Sequence, residues 1–521
     1  MESSELLAFL SDPASYPDPT RNVRREETHI SWVFLTDDFA YKVKKPVRYD
    51  FLDYSTLELR EKACQREVRL NRRLAPQVYL GVVPIGAGPS GLTFHPDGPA
   101  LEYAVRMRRL PADRMLDHLV RTGQATAADL ERVLDVLLPF YAAAAADPRV
   151  SRHATPAAWR KNVRGNLKAL RELEGFSAPE QVYRLEAAHL QFLRLWPEHF
   201  ERRIAGGFVR DGHGDLRAEH ICLTDPPAIF DCVEFNDRFR HNDIVDELAF
   251  LAMDLEFHGA GELADHLLRR YTERTGDDPG PELWGFYRSY RACVRSKVAA
   301  LTAAGQPEPR RHTLMQAATR YLQLANYHAL AFYRPRLLAV CGVMGSGKST
   351  LATALAKDLG LQLLQSDRIR KELAGSGRGA AFGAGPYTEE VDRQVYDELI
   401  RRAETLLGHG ASVLLDATFK RRRDREAVRG LARRAGVDML FIKCVCPPAT
   451  ALARLDRRFR SGRGLSDGRP ELYEEQARQF EPTDELAAGE LLVVDTQQAV
   501  PDLVEQAIRL LAARPNPARD S

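Results

Sequence analysis

Gly342-Val-Met-Gly-Ser-Gly-Lys-Ser349 is the stretch of sequence that decides the fold of the last third of this chain. It matches the pattern GxxxxGK[ST], follows an apolar run and opens a helix-forming segment. Its glycines allow backbone N–H groups to turn inward around phosphate oxygens. The helix that follows adds the positive end of its dipole. The sequence therefore predicts a phosphate-binding loop (P-loop) here.

The side chains of this loop have separate expected roles. Lys348 is expected to bridge the β- and γ-phosphates of ATP, and Ser349 to hold Mg²⁺. ATP and Mg²⁺ are therefore the predicted cofactors. The residues predicted to bind the phosphates are Gly342, Val343, Met344, Gly345, Ser346, Gly347, Lys348, Ser349 and Thr350.

Strands and helices alternate beyond a break at Arg334-Pro335-Arg336. The predicted strands are 337–343, 361–365, 412–416, 439–446 and 491–495. Such alternation favours a parallel sheet with helices on both faces. The sequence thus predicts an α/β domain over residues 335–514 and a disordered tail over 515–521.

Two acidic residues follow predicted strands of that sheet. Asp367 comes after the second strand, where a carboxylate faces the nucleotide crevice and is a candidate general base for a substrate hydroxyl. The alternative is that Ser366 or Asp367 caps the next helix. Asp416 ends an apolar strand and is a candidate for holding a Mg²⁺-bound water, with a simple strand-end turn as the alternative.

Arginines cluster late in the chain, at Arg454, Arg457, Arg458, Arg460 and Arg463. The first three share one helix face by their spacing. In a mobile lid such side chains would neutralise the charge that builds on a transferring phosphoryl group, and Arg454 and Arg458 are the predicted contacts. A solvated basic face is the alternative for any one of them.

Together these features resemble the small P-loop kinases, a family that includes gluconate kinase, zeta toxin, chloramphenicol phosphotransferase and the polynucleotide 5′-hydroxyl kinases. The resemblance implies that Asp367 is the base for a hydroxyl acceptor and that Arg370 is its partner. It implies the reaction and leaves the acceptor open. The Gly-rich insertion 375–386, with Tyr387 and Thr388, is expected to shape the acceptor pocket.

A second constellation lies earlier, in His213-Gly-Asp-Leu-Arg-Ala-Glu-His220, followed by Asp231 after an apolar strand. An HxD and a second acid at this distance resemble the catalytic and metal-binding loops of the protein-kinase-like fold, and are similar to aminoglycoside phosphotransferases. The resemblance implies Asp215 as catalytic base and Asp231 as Mg²⁺ ligand. It implies an α+β bilobal domain over residues 1–334, with a small lobe over about 1–110 and a large lobe over about 111–334.

Lys42 or Lys44, with Glu67 in the next helix, would complete that second site. The two lysines share one strand face, so their spacing does not choose between them, although Lys42 is favoured. His220 departs from the family's Asn, and imidazole is a poor Mg²⁺ ligand. Either Glu219 compensates or metal binding at this predicted metal position is altered.

Composition excludes several other classes of protein. The 521 residues are 44% hydrophobic and 28% charged with a net charge of +2, which indicates globular domains. Seven scattered cysteines, without a signal-like N-terminus or an apolar run long enough to span a membrane, predict a cytoplasmic protein.

The leading hypothesis is a bifunctional, ATP-dependent phosphotransferase acting on an unidentified hydroxyl acceptor. A second hypothesis keeps only the P-loop domain active and makes the first domain a regulatory or acceptor-binding module. A third is an ATP-hydrolysing switch that binds RNA or protein, suggested by arginines 421–423, 425, 429, 433 and 434. Nucleic acid is not the favoured partner, and the oligomeric state is left open.

Overall fold

A computed structural model describes residues 3–49, 52–89, 91–173, 179–374, 389–461 and 470–514. It divides into two compact units. Unit 1 is Met1–Ala158 with Phe200–Gly280, and unit 2 is Trp159–His199 with Pro281–Ser521. The predicted acceptor insertion 375–388, the predicted lid residue Arg463 and the predicted tail 515–521 lie outside the described residues.

The strands of the described residues, in chain order, are β1 (Arg24–Glu27), β2 (Ser31–Leu35), β3 (Phe39–Lys44), β4 (Arg48–Tyr49), β5 (Leu52–Asp53), β6 (Tyr79–Gly88), β7 (Gly91–Thr93), β8 (Ala100–Arg108), β9 (Val209–Asp211), β10 (Ile221–Cys222), β11 (Ala228–Ile229), β12 (His241–Asp243), β13 (Arg336–Cys341), β14 (Gln362–Gln365), β15 (Val413–Asp416), β16 (Asp438–Val445) and β17 (Leu491–Asp495).

The α-helices of the same residues are α1 (Ser3–Ser11), α2 (Leu57–Asn71), α3 (Leu116–Arg121), α4 (Ala127–Ala143), α5 (Pro148–Ser151), α6 (Pro156–Glu172), α7 (Pro179–Leu195), α8 (Glu198–Ala205), α9 (Asp237–Arg240), α10 (Ile244–Phe257), α11 (Gly261–Thr275), α12 (Gly280–Ala303), α13 (Arg310–Ala329), α14 (Lys348–Leu359), α15 (Ser366–Ala374), α16 (Glu389–Gly408), α17 (Arg422–Ala435), α18 (Pro448–Ser461), α19 (Tyr473–Arg478) and α20 (Val500–Ala512).

Unit 1 is built on an antiparallel sheet of order β1-β2-β3-β8-β6-β7. Helix α2 begins after Thr56, whose hydroxyl accepts from the N–H of Leu59 at 3.3 Å. It packs Cys64 and Val68 into a core with Val105 of β8, so the helix lies against the sheet. Two short antiparallel strand pairs, β9 with β12 and β10 with β11, lie within residues 209–243. The bilobal kinase-like arrangement of this unit stays a prediction.

The predicted parallel sheet of the C-terminal domain is confirmed. Its order is β14-β15-β13-β16-β17, and every pairing is parallel. The central strand β13 is buried along its whole length, because helices cover both faces of a parallel sheet. One face packs against α14 and α20, and the other against α16 and α17. The carboxyl ends of the strands therefore meet at one edge, directly beside the P-loop.

Helices from the middle of the chain belong to unit 2. Asp358, near the end of α14, binds Arg160 of α6 at 2.6 Å and Arg194 of α7 at 2.8 Å. Leu195 packs into the core between the sheet and α14. The predicted domain boundary at 334/335 stays a prediction. Helices that precede this boundary in the chain belong to the same compact unit as the P-loop.

Among the described residues, no helix combines the length and apolar composition that a membrane span requires.

Candidate active sites

The P-loop has the backbone that a phosphate cradle needs. Gly342, Gly345 and Gly347 all have positive φ, at 136°, 74° and 88°. A Cβ at Gly342 would lie 2.5 Å from the carbonyl oxygen of Cys444, and one at Gly345 would lie 2.6 Å from that of Ala451. Only glycine fits these two positions, so the sequence pattern and the loop conformation agree.

Lys348 begins α14 and turns back over the loop. Its Nζ donates to the carbonyl oxygen of Val343 at 2.8 Å. Burial lowers the pKa of Lys348, and the negative charges of Asp416 and Asp367 oppose that shift. The ammonium is thus held in place beside two carboxylates, while Ser349 is exposed in the first turn of α14.

Two side chains that the sequence analysis did not identify form hydrogen bonds with the backbone of the P-loop. The N–H of Met344 donates to Oε1 of Gln476 in α19 at 2.6 Å. The hydroxyl of Thr496, just past β17, donates to the carbonyl oxygen of Ser346 at 2.8 Å. Neither residue has a sequence signal, because each is brought to the loop only by the tertiary fold.

Arg454 contacts the P-loop from α18. Its guanidinium donates to Oγ1 of Thr496 at 2.9 Å, to the carbonyl oxygen of Thr496 at 2.6 Å and to that of Gly345 at 3.4 Å. In this arrangement Arg454 stabilises the P-loop backbone. Its predicted role as a lid residue that contacts the phosphates stays a prediction. Arg458 lies in the last turn of α18, and its predicted contact with the phosphates stays a prediction.

The sheet brings the predicted carboxylates to the same edge. Asp416 pairs in register with Val340 on one side and Gln365 on the other, and its Oδ2 accepts from Nε2 of Gln365 at 3.1 Å. Asp367 lies in the first turn of α15, which begins directly after β14. Both predicted acids therefore face the end of the sheet where Lys348 lies.

Arg370, the predicted partner of the base, is held by a second helix. Its Nη2 lies 2.7 Å from Oδ1 of Asp392 on α16, and 12% of its side chain is exposed. Asp392 is a further residue without a sequence signal, since it lies beyond the insertion at 375–388. The ion pair fixes the direction of the guanidinium near Asp367.

The arginines that suggested nucleic-acid binding mostly have acidic partners. Ion pairs join Arg421 to Glu389, Arg422 to Asp484, Arg425 to Glu485, Arg429 to Glu490 and Arg434 to Glu404. Arg425 is fully buried and also donates to the carbonyl oxygen of Phe419 at 2.9 Å. Paired arginines of this kind do not form the unbroken basic surface that phosphate backbones require.

Unit 1 contains a second cluster of charged side chains. Lys42 Nζ lies 2.9 Å from Oε1 of Glu67 and 2.6 Å from Oδ1 of Asp231. Lys44 Nζ lies 2.5 Å from Oε2 of Glu67 and also contacts Glu234. The two lysines thus share one glutamate, and Lys42 is the one that also contacts Asp231.

The charges of this cluster hold one another in the ionised form. Burial works against the charge on Lys42, yet Asp231 and Glu67 keep its pKa well above the ordinary value. Burial likewise opposes ionisation of Asp231, but Lys42 and His220 keep its pKa well below the usual range. Asp231 has φ of 61°, a strained conformation for a residue with a side chain.

Glu247 of α10 holds the His213-Gly-Asp segment in place. Oε1 of Glu247 accepts from the N–H of Gly214 at 2.6 Å, and its Oε2 accepts from the hydroxyl of Tyr141 at 3.0 Å. His213 Nε2 lies 2.9 Å from the carbonyl oxygen of Phe230, and burial lowers the pKa of His213 to about 4. A neutral, buried histidine therefore links this segment to the strand end that precedes Asp231.

Asp215, the predicted base of unit 1, is engaged by Arg217. The guanidinium donates to Oδ1 at 3.0 Å through Nε and to Oδ2 at 2.8 Å through Nη2. His220 Nδ1 lies 2.8 Å from the carbonyl oxygen of Asp215, so Nδ1 carries a proton. Arg217 and His220 also approach each other, at 3.4 Å between Nη2 and Nε2. The predicted base therefore has both carboxylate oxygens engaged by Arg217 in this arrangement.

The two sites differ in how well their residues fit Mg²⁺. At the P-loop, glycines that leave no room for a Cβ line a cradle beside Ser349 and Asp416, as a Mg²⁺–ATP site requires. In unit 1, Asp231 offers a carboxylate oxygen, whereas both oxygens of Asp215 face Arg217. Within the described ranges, no group of three or more His, Cys, Asp or Glu side chains is arranged as a complete metal site. Ligand oxygens would have to complete the shell at either site.

The C-terminal part of the chain is similar to several known proteins. The family profile described as "AAA domain" matches residues 337–483. A shikimate kinase of Actinobacillus succinogenes is 26% identical over 166 residues, which are 29% of this chain and 89% of that enzyme. A solved gluconokinase of Sinorhizobium meliloti 1021 is 20% identical, covers 34% of this chain and 92% of its own, and gives a TM-score of 0.26.

A longer match extends across both units. The uncharacterized protein Rv2004c of Mycobacterium tuberculosis is 36% identical over 462 residues, which are 87% of this chain and 89% of that protein. Its counterpart Mb2027c of Mycobacterium bovis matches with the same values. Similarity over nearly the full length of both proteins means that the chain belongs to the same family as Rv2004c.

Proposed function

We propose that unit 2 is a kinase that transfers the γ-phosphoryl group of ATP to a hydroxyl group of an acceptor. One observation carries this proposal: the parallel sheet brings the P-loop, Asp416 and Asp367 to a single edge. A nucleotide site next to a carboxylate suits transfer to a hydroxyl, since the acceptor must lose a proton. The name of the similar shikimate kinase supports this choice of reaction class.

In the proposed reaction, the acceptor oxygen forms a bond to the γ-phosphorus while the bond from that phosphorus to the β–γ bridging oxygen breaks. Asp367 accepts the acceptor's proton, and ADP leaves. Lys348 and the P-loop N–H groups bind the β- and γ-phosphates and stabilise their charge. Mg²⁺, held through Ser349 and Asp416, would neutralise further charge on these phosphates. Arg370, fixed by Asp392, orients the acceptor.

The test is transfer of label from γ-labelled ATP to a fractionated polar-metabolite extract spiked with a 5′-hydroxyl oligonucleotide. Lys348→Ala and Asp367→Asn should each abolish one labelled product, while Asp502→Asn, a matched change in the exposed first turn of α20, should leave it unchanged. Label that appears only as free phosphate in every fraction would reject the kinase in favour of an ATP-hydrolysing switch.

We also infer a second nucleotide site in unit 1. The observation that favours it is the contact of Lys42 with both Glu67 and Asp231, because a buried lysine beside one outward carboxylate can hold phosphates and a cation together. Whether this site transfers phosphate or only senses nucleotide depends on Asp215, which Arg217 engages. A separate labelled product lost with Asp215→Asn would make the protein bifunctional. ATP binding that persists without such a product would support the regulatory alternative.

A further inference from the structure

The peptide between Val343 and Met344 in the P-loop is held on both of its sides. Its carbonyl oxygen accepts from Nζ of Lys348 at 2.8 Å, and its N–H donates to Oε1 of Gln476 at 2.6 Å. Because this peptide bond is trans, its carbonyl and its N–H point in opposite directions. Lys348 and Gln476 therefore lie on opposite sides of one peptide plane, and turning that plane would break both hydrogen bonds.

The helix that carries Gln476 is itself fixed next to the loop. Tyr473, at the start of α19, is buried in one apolar cluster with α18 and with the P-loop residues 343–344. Beyond the end of α19, the N–H of Glu481 donates to the carbonyl oxygen of Lys420 at 2.9 Å. Since the backbone is held on both sides of Gln476, its amide group reaches the loop from a rigid base.

The direction of this peptide matters for the placement of Lys348. A lysine side chain has many rotamers, and a fixed carbonyl acceptor selects the ones that keep the ammonium at the loop. Without the Gln476 oxygen, the half-buried N–H of Met344 loses its partner, and other loop conformations become more favourable. Only the fraction of molecules that keeps the original conformation would then bind nucleotide at full affinity.

We propose that Gln476 is a positioning residue of the nucleotide site in unit 2. It fixes the Val343–Met344 peptide so that the carbonyl holds the Lys348 ammonium where the β- and γ-phosphates of ATP bind. Gln476 acts through this peptide and Lys348, without touching the phosphates. The inference rests on the proposed nucleotide site of the P-loop, and it is independent of the acceptor and of the site inferred in unit 1.

The test observes Met344 directly in the full-length protein by nuclear magnetic resonance. Labelling methionine with ¹⁵N at the amide and ¹³C in the methyl group gives few signals, since the chain has seven methionines, and Met344→Leu identifies those of Met344. Because Met344 lies in the P-loop, ATP titration followed at its methyl signal reports unit 2. In the wild type, the Met344 amide proton should be shifted downfield and protected from exchange. Gln476→Met should lose this amide signature and bind ATP roughly tenfold more weakly.

Two further variants separate the hydrogen bond from other effects of the change. Gln476→Glu keeps an oxygen that accepts from the N–H of Met344, so it should retain the amide signature in the absence of ATP. This readout is independent of repulsion between the new carboxylate and the triphosphate. Gln479→Met is the matched control, because Gln479 is an exposed glutamine just past α19 whose side chain bonds to Lys420. It should leave the amide signature and the ATP affinity at their wild-type values.

Wild-type ATP affinity in Gln476→Met, or a loss of affinity that Gln479→Met shares, would overturn the inference while leaving the nucleotide site in place. An unprotected Met344 amide in the wild type, or in Gln476→Glu, would overturn it as well. Unchanged signals from the remaining methionines show that each variant is folded.

The inference and the proposed kinase fail in different ways. A wild-type protein whose Met344 signals do not respond to ATP would overturn the nucleotide site and this inference together. A protein that binds ATP as expected but forms no labelled product would reject the kinase and retain the positioning role of Gln476.

Discussion

Lys42 and Lys44 show at the residue scale how two identical side chains on one strand face acquire different tasks. Both contact Glu67, but Lys42 reaches the partly exposed Asp231 whereas Lys44 is fully buried against Glu234. Alternation along β3 predicts that the two lysines share a face, but it does not predict which carboxylate each one contacts. The carboxylates that separate them come from residues almost 190 positions later in the chain, and strand periodicity carries no information about such partners.

Substituting each lysine by methionine should separate binding from stability. Lys44→Met leaves Glu234 buried, with the Tyr54 hydroxyl as the remaining donor among the described residues. We therefore expect unit 1 to lose about 3–5 kcal/mol of stability. Lys42→Met leaves Glu67 paired with Lys44 and should cost less, but it should weaken nucleotide binding in unit 1 by roughly tenfold or more. Chemical denaturation and nucleotide titration measure the two effects. Both are carried out on full-length protein that also carries Lys348→Ala and Ser349→Ala, so that bound nucleotide reports unit 1. Equal loss of stability in both variants would contradict the assignment.

The same buried charges make the stability of unit 1 depend on pH at both extremes. Although burial opposes ionisation, Lys44 keeps the pKa of Glu234 below its ordinary value. The stability from Glu234 is therefore present above about pH 4.5 and is lost as pH falls through the lowered pKa. Although burial also opposes the charge on Lys44, Glu234 and Glu67 raise its pKa. That contribution is full below about pH 10.5 and is lost as pH rises through the raised pKa.

Hydrogen exchange of the β3 peptide, corrected for intrinsic rates, should show constant protection between about pH 5 and 10 and weaker protection outside that window. Glu234→Gln should flatten the acid flank, because its side chain has no proton to gain. An acid flank of the same slope in wild type and Glu234→Gln would show that other carboxylates, and not this one, are responsible.

At the scale of elements, local pattern predicted the P-loop sheet well. The strand predicted at 491–495 is β17 itself, and the other four predicted strands overlap β13 to β16. Most of these strands are short runs of apolar residues, so their signal is local. In unit 1, β1 carries no such local signal, because its four residues are all polar and exposed, and β7 lies inside a Gly-rich loop. Both are edge strands that tertiary pairing alone defines.

The P-loop should require glycine at position 345 for a reason besides its positive φ, which is the close approach of α18. Gly345→Ala places a Cβ 2.6 Å from the carbonyl oxygen of Ala451, so the loop or α18 must shift. We expect ATP affinity to fall roughly tenfold or more, equivalent to about 1.4 kcal/mol or more of distortion. Gly436→Ala is the matched control, since Gly436 also has positive φ, 62°, but open space around it. It should cost about 1–2 kcal/mol of stability and leave ATP affinity unchanged.

Calorimetric titration with ATP and thermal melting of both variants provide the comparison. If Gly345→Ala bound ATP as tightly as Gly436→Ala, the close approach of the P-loop to α18 would not matter for phosphate binding.

At the scale of the whole molecule, the sequence predicts a domain boundary at 334/335, and this boundary stays a prediction because α7, from the middle of the chain, lies in the same compact unit as the P-loop. Proline and arginines there interrupt the helical pattern just before β13, which is a sound local signal. Packing of α7 against α14 and α20 leaves no such signal, because a buried helix face looks the same whichever domain covers it. Gly360 illustrates the closeness of this contact: a Cβ there would lie 3.0 Å from the backbone of Ala187.

We therefore expect residues 335–521 alone to fold poorly. Removing α6 and α7 exposes core that Leu195 covers and leaves Asp358 without Arg160 and Arg194. Burial of a leucine contributes about 1.5–3 kcal/mol and each charged hydrogen bond about 1.5–3 kcal/mol. For a fragment of this size, a loss of several kcal/mol lowers Tm by roughly 10 °C or more. The measurement compares the ATP-stabilised melting transition of the fragment with that of the full chain and of full-length Arg194→Ala, which should lie between them. A fragment that melts with the full chain and binds ATP equally well would establish the boundary at 334/335 and make the middle helices dispensable to the P-loop domain.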